Sequence, residues 1–353
     1  MVLDKEKSHP MLTHGSGGFL VLADSGRCYL GDGLDSITIP DSNMILDSLQ
    51  DEVSSKFEPK KIASGVLSEV YSELDMQLRA GRVGDCGSYL EYYVTDQEKK
   101  LHTANFCKDR LCPMCNWRRS LKIFGQVSQI MNYLEQSGGR GSSGYRFLFL
   151  TLTVKNCSAE ELPNTVDKLF EGWRFLYNKN RLFKKIVCGT FRSLEVTRNK
   201  KTGEFHPHFH VILAVHPGYF DGKNYLTQSR WADLWRSSCG LDYEPVVDVR
   251  TIKNGSGGVS GAVAEVSKYA VKSADFLNGS MDEKLSYVAS FLAALSRRRL
   301  CDTTGCFRDA RKALHLDDME TGDLVHVDGK DIRSDIVELI VRYHWRHGCY
   351  VRI

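Results

Sequence analysis

The spacing of hydrophobic and polar positions changes along the chain and predicts alternating strands and helices. Residues 145–154 (YRFLFLTLTV) form a continuous aromatic and β-branched run, which is typical of a buried strand. Residues 186–197 and 206–215 predict two more strands, joined as a hairpin by the turn NKKTGEF. Helical spacing appears at 158–177, 226–238 and 262–276, and a further strand at 244–252. This order predicts an α+β fold with a central antiparallel β-sheet flanked by helices.

The chain outside this region divides into three further parts. Residues 1–60 are rich in Gly, Ser and Asp and predict an acidic, loosely ordered N-terminal arm. Residues 61–136 contain two stretches of helical spacing, at 62–82 and 116–134, and the Gly- and Ser-rich stretch 137–144 predicts a linker. We therefore expect parts at 1–60, 61–136 and 143–277, followed by a helical C-terminal extension at 278–353.

Composition limits the classes of function. The 353 residues are 42% hydrophobic and 26% charged, which excludes disorder of the whole chain. The net charge of +3 divides into −5 for residues 1–60, with five basic and ten acidic groups, and +8 for the rest. A basic remainder favours a polyanionic partner such as a nucleic acid. No apolar run reaches roughly 18 residues and the start MVLDKEKSHP lacks a leader pattern, so we expect a cytoplasmic protein without a membrane partner.

Four cysteines have the spacing of a metal site. Cys107, Cys112 and Cys115 lie in FCKDRLCPMC, and Cys86 precedes them in GDCGSYL. The C-x₂-C pair presents two thiolates on one turn, and two further thiolates complete the tetrahedral set that structural zinc prefers. His102 is an alternative ligand. Four unrelated buried cysteines, or a redox-active pair, are the competing interpretations.

The second candidate metal site lies on the predicted hairpin. Alternate residues of a strand share a face, so His206, His208 and His210 in HPHFH point the same way, opposite an apolar face. Two imidazoles two residues apart can bind one divalent metal, and Glu195 on the preceding strand is placed to supply a third ligand. The spacing does not decide which two histidines bind.

A third group of chemically active residues lies in AEVSKYAVK. On the predicted helix 262–276, Glu265 and Tyr269 are one turn apart, with Lys268 and Lys272 nearby. The lysines favour phosphate binding, and the carboxylate can accept a proton from the phenol or from water. Tyr287 has the same spacing from an acid, but its apolar neighbours favour a packing role.

These blocks together resemble a known family. The blocks FLTLT (149–153), HPHFHVIL (206–213) and EVSKYAVK (265–272) occur in the order of the three motifs of the HUH endonucleases. With CKDRLCPMCNWRR ahead of them, the chain resembles the single-tyrosine rolling-circle replication initiators (Rep) of small Gram-positive plasmids. The resemblance covers roughly residues 82–277 and implies that 143–277 is an HUH nuclease core and 61–136 a helical, zinc-binding module that contacts DNA.

The resemblance also implies roles for individual residues. His208 and His210 would bind Mg²⁺ or Mn²⁺, with Glu195 as third ligand and His206 as an additional or supporting residue, while the cysteines hold structural Zn²⁺. Tyr269 would attack one DNA strand and form a 5′-phosphotyrosyl intermediate, with Lys272 and Lys268 at the phosphate. Because the motif has no second tyrosine, Glu265 would end the cycle by activating water for hydrolysis.

The implied partner is the double-strand origin of a plasmid, with a hairpin that presents the nick site as single strand. Basic and aromatic residues beside the cysteines, and basic residues near the hairpin, are the candidate DNA contacts. They are Arg110, Trp117, Arg118 and Arg119 beside the cysteines, Lys184, Lys185, Arg192, Lys200 and Lys201 near the hairpin, and Lys268. A host helicase of replicative or repair type and a DNA polymerase would also act with the protein, and assembly as a dimer stays open. Residues 278–353 are a candidate DNA- or partner-binding extension.

Two other functions compete with this interpretation. An HUH transposase or relaxase would share the metal and tyrosine chemistry. A zinc-dependent DNA-binding regulator without catalytic activity would use the same histidines and tyrosine as structural residues. The sequence has no GxGxxG or GxxxxGK[ST] loop, so we predict no nucleotide cofactor.

Overall fold

The computed structural model describes most of the chain. The described residues are 20–22, 28–30, 42–95, 98–136, 144–253, 256–268, 270–272, 275–329 and 333–353. The helices are α1 (Ser42–Lys56), α2 (Glu58–Glu73), α3 (Gln77–Asp85), α4 (Pro113–Gln136), α5 (Leu162–Lys179), α6 (Arg181–Ile186), α7 (Gln228–Cys239), α8 (Ser256–Val266), α9 (Met281–Leu295) and α10 (Cys306–Ala313). The strands are β1 (Leu20–Leu22), β2 (Cys28–Leu30), β3 (Tyr89–Val94), β4 (Lys99–Ala104), β5 (Arg146–Thr153), β6 (Val187–Arg198), β7 (Phe205–Val215), β8 (Val247–Ile252), β9 (Cys301–Gly305), β10 (Leu339–Arg346) and β11 (Cys349–Arg352).

The fold is a mixed α/β arrangement of antiparallel sheets flanked by helices. The larger sheet has five strands in the order β8-β5-β7-β6-β9, and every neighbouring pair is antiparallel. The hairpin predicted from the sequence is confirmed as β6 and β7, and β7 is the central strand. The predicted antiparallel sheet is therefore confirmed.

One face of the five-stranded sheet is the main hydrophobic core. Helix α5 places Val166, Leu169 and Trp173 against this face at helical spacing. On β7, the ring of Phe209 packs edge-on against Phe170 of α5 with centroids 5.2 Å apart. The opposite face of β7 carries the histidines and lies beneath α8. Because side chains alternate between the two faces of β7, its apolar residues lie in the core and its histidines lie at the candidate site.

The second sheet joins distant parts of the chain. Its order is β11-β10-β3-β4, so the last strands of the chain pair with strands that flank the cysteine segment. Strand β9 likewise joins the edge of the five-stranded sheet. The prediction of a helical extension at 278–353 is therefore wrong in part, because this region contributes three strands to two sheets as well as α9 and α10.

The prediction of a loosely ordered arm at 1–60 also needs correction. Residues 42–56 form α1, and Leu49, Val53 and Phe57 are buried. The Gln50 amide Nε2 donates to the Tyr350 carbonyl at 3.3 Å, which fixes α1 to β11. Residues 42–60 therefore belong to the folded body. Most of the predicted linker at 137–144 lies outside the described residues.

Candidate metal and nuclease site

The register of the central hairpin brings three of the predicted ligands together. Glu195 on β6 lies directly opposite His208 on β7, and the next same-face pair is Ser193 with His210. Glu195, His208 and His210 are all buried, and each directs one ligand atom into a group in which all such atoms lie within 4.8 Å of one another. His206 shares the strand but contributes no ligand atom to this group.

The hydrogen bonds of the two rings fix their orientation and, for His208, the tautomer. Nδ1 of His208 lies 3.0 Å from the carbonyl oxygen of His206, which can only accept, so Nδ1 carries the proton. Nδ1 of His210 lies 3.3 Å from the hydroxyl of Thr151 on β5. Thr151 was not among the site residues predicted from the sequence, although it lies in the motif FLTLT. Both rings are thereby oriented with Nε2 toward Glu195, as supporting hydrogen bonds orient histidine ligands in metal sites.

The donor atoms have the separations that one metal ion requires. His210 Nε2 lies 3.0 Å from Glu195 Oε2 and 3.1 Å from His208 Nε2, and His208 Nε2 lies 3.5 Å from the same carboxylate oxygen. Ligands bound about 2.1 Å from one ion at about 90° to each other are about 3.0 Å apart. The carboxylate suits Mg²⁺ and Mn²⁺, whereas imidazoles suit softer divalent ions such as Zn²⁺ and Fe²⁺. The three residues fit a divalent cation, whose identity they leave open.

The carboxylate of Glu195 is held in its ionised form. Burial by itself would raise its pKa, but hydrogen bonds and charge interactions with His208 and His210 lower the pKa well below the usual range. The ammonium of Lys272 lies 3.4 Å from the second oxygen, Oε1. Glu195 therefore offers a negative charge to a cation on one side and contacts an exposed lysine on the other.

Glu265 approaches the same group from α8. Its Oε1 lies 3.6 Å from His210 Nε2, and its Oε2 accepts a hydrogen bond of 2.5 Å from Lys268 Nζ. Its side chain is 38% exposed, so it is accessible to water in a way that Glu195, at 4%, is not. The structure thus brings together Glu195, His208, His210, Glu265 and Lys268, with Lys272 at the edge.

The predicted helix around the tyrosine is shorter than the sequence indicated. Helix α8 ends at Val266, so the predicted helix at 262–276 is wrong in its bounds. Tyr269 itself lies outside the described residues. Its two neighbours are fixed at the site, because Lys268 contacts Glu265 and the Ala270 carbonyl accepts a 2.7 Å hydrogen bond from Val196 N on β6.

The four predicted zinc ligands also converge. Cys86, Cys107, Cys112 and Cys115 are free thiols whose sulfur atoms lie within 4.8 Å of one another. The Sγ separations of Cys86 from Cys112 and Cys115 are both 3.6 Å. Sulfurs bound about 2.3 Å from a tetrahedral ion are about 3.8 Å apart, so the residues fit zinc. His102 stacks on Tyr93 and is not part of the group.

Backbone and side-chain donors surround these sulfurs. The amides of Lys108 and Asp109 donate to Cys115 Sγ and Cys107 Sγ at 3.2 and 3.4 Å. Burial raises the pKa of Cys112, but hydrogen bonds from neighbouring thiols and Ser64 hold it well below the usual value of a thiol. Hydrogen bonds with the neighbouring thiols, first of all Cys107, raise the pKa values of Cys86 and Cys115 instead. A metal ion that binds all four sulfurs therefore displaces protons from the cluster.

Several predicted DNA contacts are structural. Arg118 and Arg119 are only 7% and 2% exposed, and their guanidinium groups donate to backbone carbonyls, including those of Leu324 and Glu320. Arg110 donates to the carbonyls of Leu295 and Arg298 and pairs with Glu320. Burial between aromatic rings lowers the pKa of Arg192 to about 10. The prediction that Arg118, Arg119 and Arg192 contact DNA is therefore wrong, because these three are buried. Arg110 is 33% exposed, and its DNA contact stays a prediction.

The partner of these arginines is a segment that the sequence did not connect with them. We call residues 317–328 (DDMETGDLVHVD) the acidic strap; it lies along α4. The buried Lys122 contacts Asp317 at 2.5 Å, and Lys100 contacts Asp328 at 3.2 Å. The acidic strap therefore forms ion pairs with Lys100, Arg110 and Lys122, three of the basic residues around the cysteines. Trp117, Lys268 and Arg110 remain partly exposed. The predicted contacts near the hairpin that are exposed are Lys184, Lys185, Lys200 and Lys201.

The comparisons with known proteins agree with this arrangement. A family model described as a replication protein (Rep_1) matches residues 98–351. A protein named Protein rep from Bacillus amyloliquefaciens is 37% identical over 314 residues, covering 81% of this chain and 90% of the relative. Proteins with the same name from Streptococcus pneumoniae serotype 2 and Lactiplantibacillus plantarum are each 36% identical, covering 80% and 84% of this chain and 87% and 94% of the relatives. No solved structure matches significantly. Within the described residues, no helix is long and apolar enough to span a membrane.

Proposed function

Because the chain belongs to the Rep_1 family of replication proteins, we propose that it initiates plasmid replication by nicking one strand of the origin for rolling-circle synthesis. The observation that carries this proposal is the convergence of Glu195, His208 and His210 with Lys268 and Lys272. Buried metal ligands beside exposed lysines form a site for a phosphodiester, since the ligands hold a cation and the lysines attract phosphate oxygens.

The five-stranded sheet is the HUH nuclease core in this proposal. Its central strand carries both histidines, and the neighbouring strands carry Glu195 and Thr151, which fix the third donor and the orientation of one ring. We extend the core beyond 143–277, because β9 forms one edge of the same sheet. The zinc module, proposed at 61–136, likewise includes β10 and β11.

His208, His210 and Glu195 would hold Mg²⁺ or Mn²⁺, which when bound polarises the scissile phosphate as a Lewis acid. Glu195 keeps its negative charge in this role because a bound cation stabilises the carboxylate. The two imidazoles bind through Nε2, since Nδ1 of His208 is committed to a carbonyl and Nδ1 of His210 faces a hydroxyl. Cys86, Cys107, Cys112 and Cys115 would hold Zn²⁺ as a structural ion.

Tyr269 is the proposed nucleophile, on the strength of the family motif and of its neighbours' positions. Its phenolic oxygen forms a bond to the phosphorus of the nick site, and the bond from phosphorus to the 3′ oxygen breaks. The phenol loses its proton and the departing 3′ oxygen gains one, leaving a 5′-phosphotyrosyl link and a 3′-hydroxyl. A host DNA polymerase extends that hydroxyl while a host helicase displaces the strand.

Glu265 is placed for the last step, the release of the finished strand by hydrolysis. It is partly exposed, near the metal ligands, and paired with Lys268. As a carboxylate it takes a proton from water, and the resulting hydroxide displaces the tyrosine from phosphorus. Lys272, beside Glu195 and exposed to solvent, would bind a phosphate oxygen of the DNA.

A direct assay tests the activity. A single-stranded oligonucleotide that covers the origin hairpin is incubated with the full-length protein and Mn²⁺, and the products are separated on a denaturing gel. The proposal requires a protein–DNA band and a shorter strand with a 3′-hydroxyl, both absent when EDTA is added. A protein that binds the origin and leaves the DNA intact would instead be a regulator without catalytic activity.

A further inference from the structure

A cavity of about 350 Å³ lies between the zinc module and the nuclease site. Its walls come from α2, from the first turns of α4 and from the segment that follows α8. The residues that matter to its chemistry are Lys60, Ala63, Asn116, Trp117, Lys268 and Lys272. None of the described residues that line it is acidic, and three are lysines, so the cavity favours an anionic ligand.

Two of these lysines also belong to the nuclease site. Lys268 donates to Glu265 at 2.5 Å, and Lys272 lies 3.4 Å from Glu195, while both side chains line the cavity. The cavity and the metal ligands are therefore separated by no more than a lysine side chain. A DNA strand that has its scissile phosphate at the metal ligands and leaves on the side of these lysines passes the cavity.

Trp117 supplies a flat and well-fixed surface in this cavity. Phe57 packs edge-on against its ring with centroids 4.8 Å apart, and the ring is two residues beyond the zinc ligand Cys115. The Lys60 ammonium lies 5.3 Å from the ring centroid. A partly exposed aromatic ring beside lysines is the combination by which proteins hold unpaired bases and their phosphates.

Asn116 adds a polar group to the same wall. Its Oδ1 accepts a 3.0 Å hydrogen bond from Arg119, which orients the amide. Among the described residues, no hydrogen bond uses its Nδ2 donors, which are thus left for a ligand. The volume lies at the lower end of the roughly 300–1,000 Å³ of small-molecule sites, which suits one nucleotide and is too small for a duplex.

We propose that this cavity binds a single nucleotide of the nicked strand next to the scissile phosphate, with its base stacked on Trp117. Its phosphate contacts Lys60 and Lys268, the flexible Lys60 moving from the ring to the phosphate as the base enters. The proposal rests on the proposed function, because it assigns the adjoining phosphate to the nuclease site. It also gives the zinc module a role in nicking, since the cysteines fix the helix that carries Trp117.

The test asks whether removing one base from the DNA and removing the Trp117 ring from the protein have the same effect on binding. Single-stranded oligonucleotides of the replicon's own origin, each with one abasic position, are titrated into full-length wild-type protein and into Trp117→Ala. In the wild type, one abasic position next to the nick should weaken binding by at least about 5-fold, as expected for one stacked base. In Trp117→Ala the intact oligonucleotide should bind as weakly as that abasic one, and the abasic penalty should disappear.

Other variants separate stacking from loss of structure. Ala63→Phe fills the cavity without removing a charge and should also abolish the abasic penalty. Phe124→Ala, which removes an exposed ring from the same helix outside the cavity, should keep it. Circular dichroism and zinc content report whether each variant is folded. An equal abasic penalty in wild type, Trp117→Ala and Ala63→Phe, or no penalty at any position, would overturn the nucleotide site.

The nicking assay on the same oligonucleotides distinguishes this failure from failure of the proposed function. If the DNA is nicked but the abasic penalty does not depend on Trp117, only the nucleotide site is overturned. If the penalty depends on Trp117 but no DNA is nicked, the nuclease function is overturned, and the cavity is a nucleotide site in a protein that only binds single strands.

Discussion

The Nε2 atoms of His208 and His210 lie 3.1 Å apart, with the Glu195 carboxylate within 3.5 Å of both. The Nδ1 proton of His208 is committed to the His206 carbonyl, so its Nε2 presents a lone pair to the other ring. This close approach is relieved by a proton on His210 Nε2, whose Nδ1 can accept from the Thr151 hydroxyl, or by one shared cation. The convergence of the three donors on one point fits a metal ion at the hairpin.

Removal of the carboxylate should weaken metal binding. Glu195→Gln keeps the shape of the side chain but removes the negative charge opposite the two rings, so Mn²⁺ affinity should fall by more than about 10- to 100-fold. Isothermal titration with Mn²⁺ measures the change. His216→Ala, an exposed histidine just after the same strand, is the control and should bind as the wild type does. Unchanged affinity in Glu195→Gln would exclude this ligand set.

The cysteine cluster should carry about one zinc per chain. Cys112→Ser removes a buried ligand with three sulfur neighbours, so zinc should be lost and the free energy of unfolding should fall by on the order of 4 kcal/mol. Metal analysis and thermal denaturation measure the two effects. Cys188→Ser, at a half-buried cysteine outside the cluster, should keep the zinc. A stable, zinc-free wild-type protein would contradict the assignment.

Arg119 should act on stability rather than on DNA affinity. Its guanidinium donates to the carbonyls of Lys108, Asp109 and Glu320, and Arg119→Ala leaves these groups without that donor. Each orphaned buried acceptor costs about 1–3 kcal/mol, so chemical denaturation should show a clear loss. Arg308→Ala, at an exposed arginine, should show almost none. Weaker DNA binding by Arg119→Ala at unchanged stability would restore it as a DNA contact.

Glu265 should govern release of the DNA and leave strand cleavage largely intact. Glu265→Ala removes the proposed base for water, so the covalent adduct should form but decay about 100- to 10,000-fold more slowly. Pulse–chase measurement of the adduct gives both rates. Glu265→Gln, which keeps the size of the side chain and lacks its basicity, should behave in the same way. Equal loss of cleavage and release would place Glu265 in the nicking step.

Local sequence patterns predicted the central hairpin and both ligand groups because these depend on short-range rules. Strand alternation places His208 and His210 on one face, and the turn places Glu195 opposite them. The resemblance to replication initiators, which rests on the same residues, is confirmed at the level of the family.

The errors concern contacts between residues far apart in the chain. In the sequence, Arg118 and Arg119 have the pattern of a DNA-binding patch. In the structure they are covered by the acidic strap, which follows them by about 200 residues in the chain. Helix α8 stops early because the Ala270 carbonyl bonds to Val196 on β6, a tertiary contact that overrides helical spacing. The pairing of β10 with β3 joins the end of the chain to the cysteine module, and no local pattern reports such a pairing.

The most direct test of the account is covalent capture of origin DNA by full-length wild-type protein, Tyr269→Phe and Tyr287→Phe with Mn²⁺. Tyr287 packs against Phe205 and beneath Arg198, so its phenylalanine variant serves as the matched control. We predict a protein–DNA band for the wild type and Tyr287→Phe and none for Tyr269→Phe. A band that persists in Tyr269→Phe, or its absence from the wild type, would contradict the proposed nucleophile and mechanism.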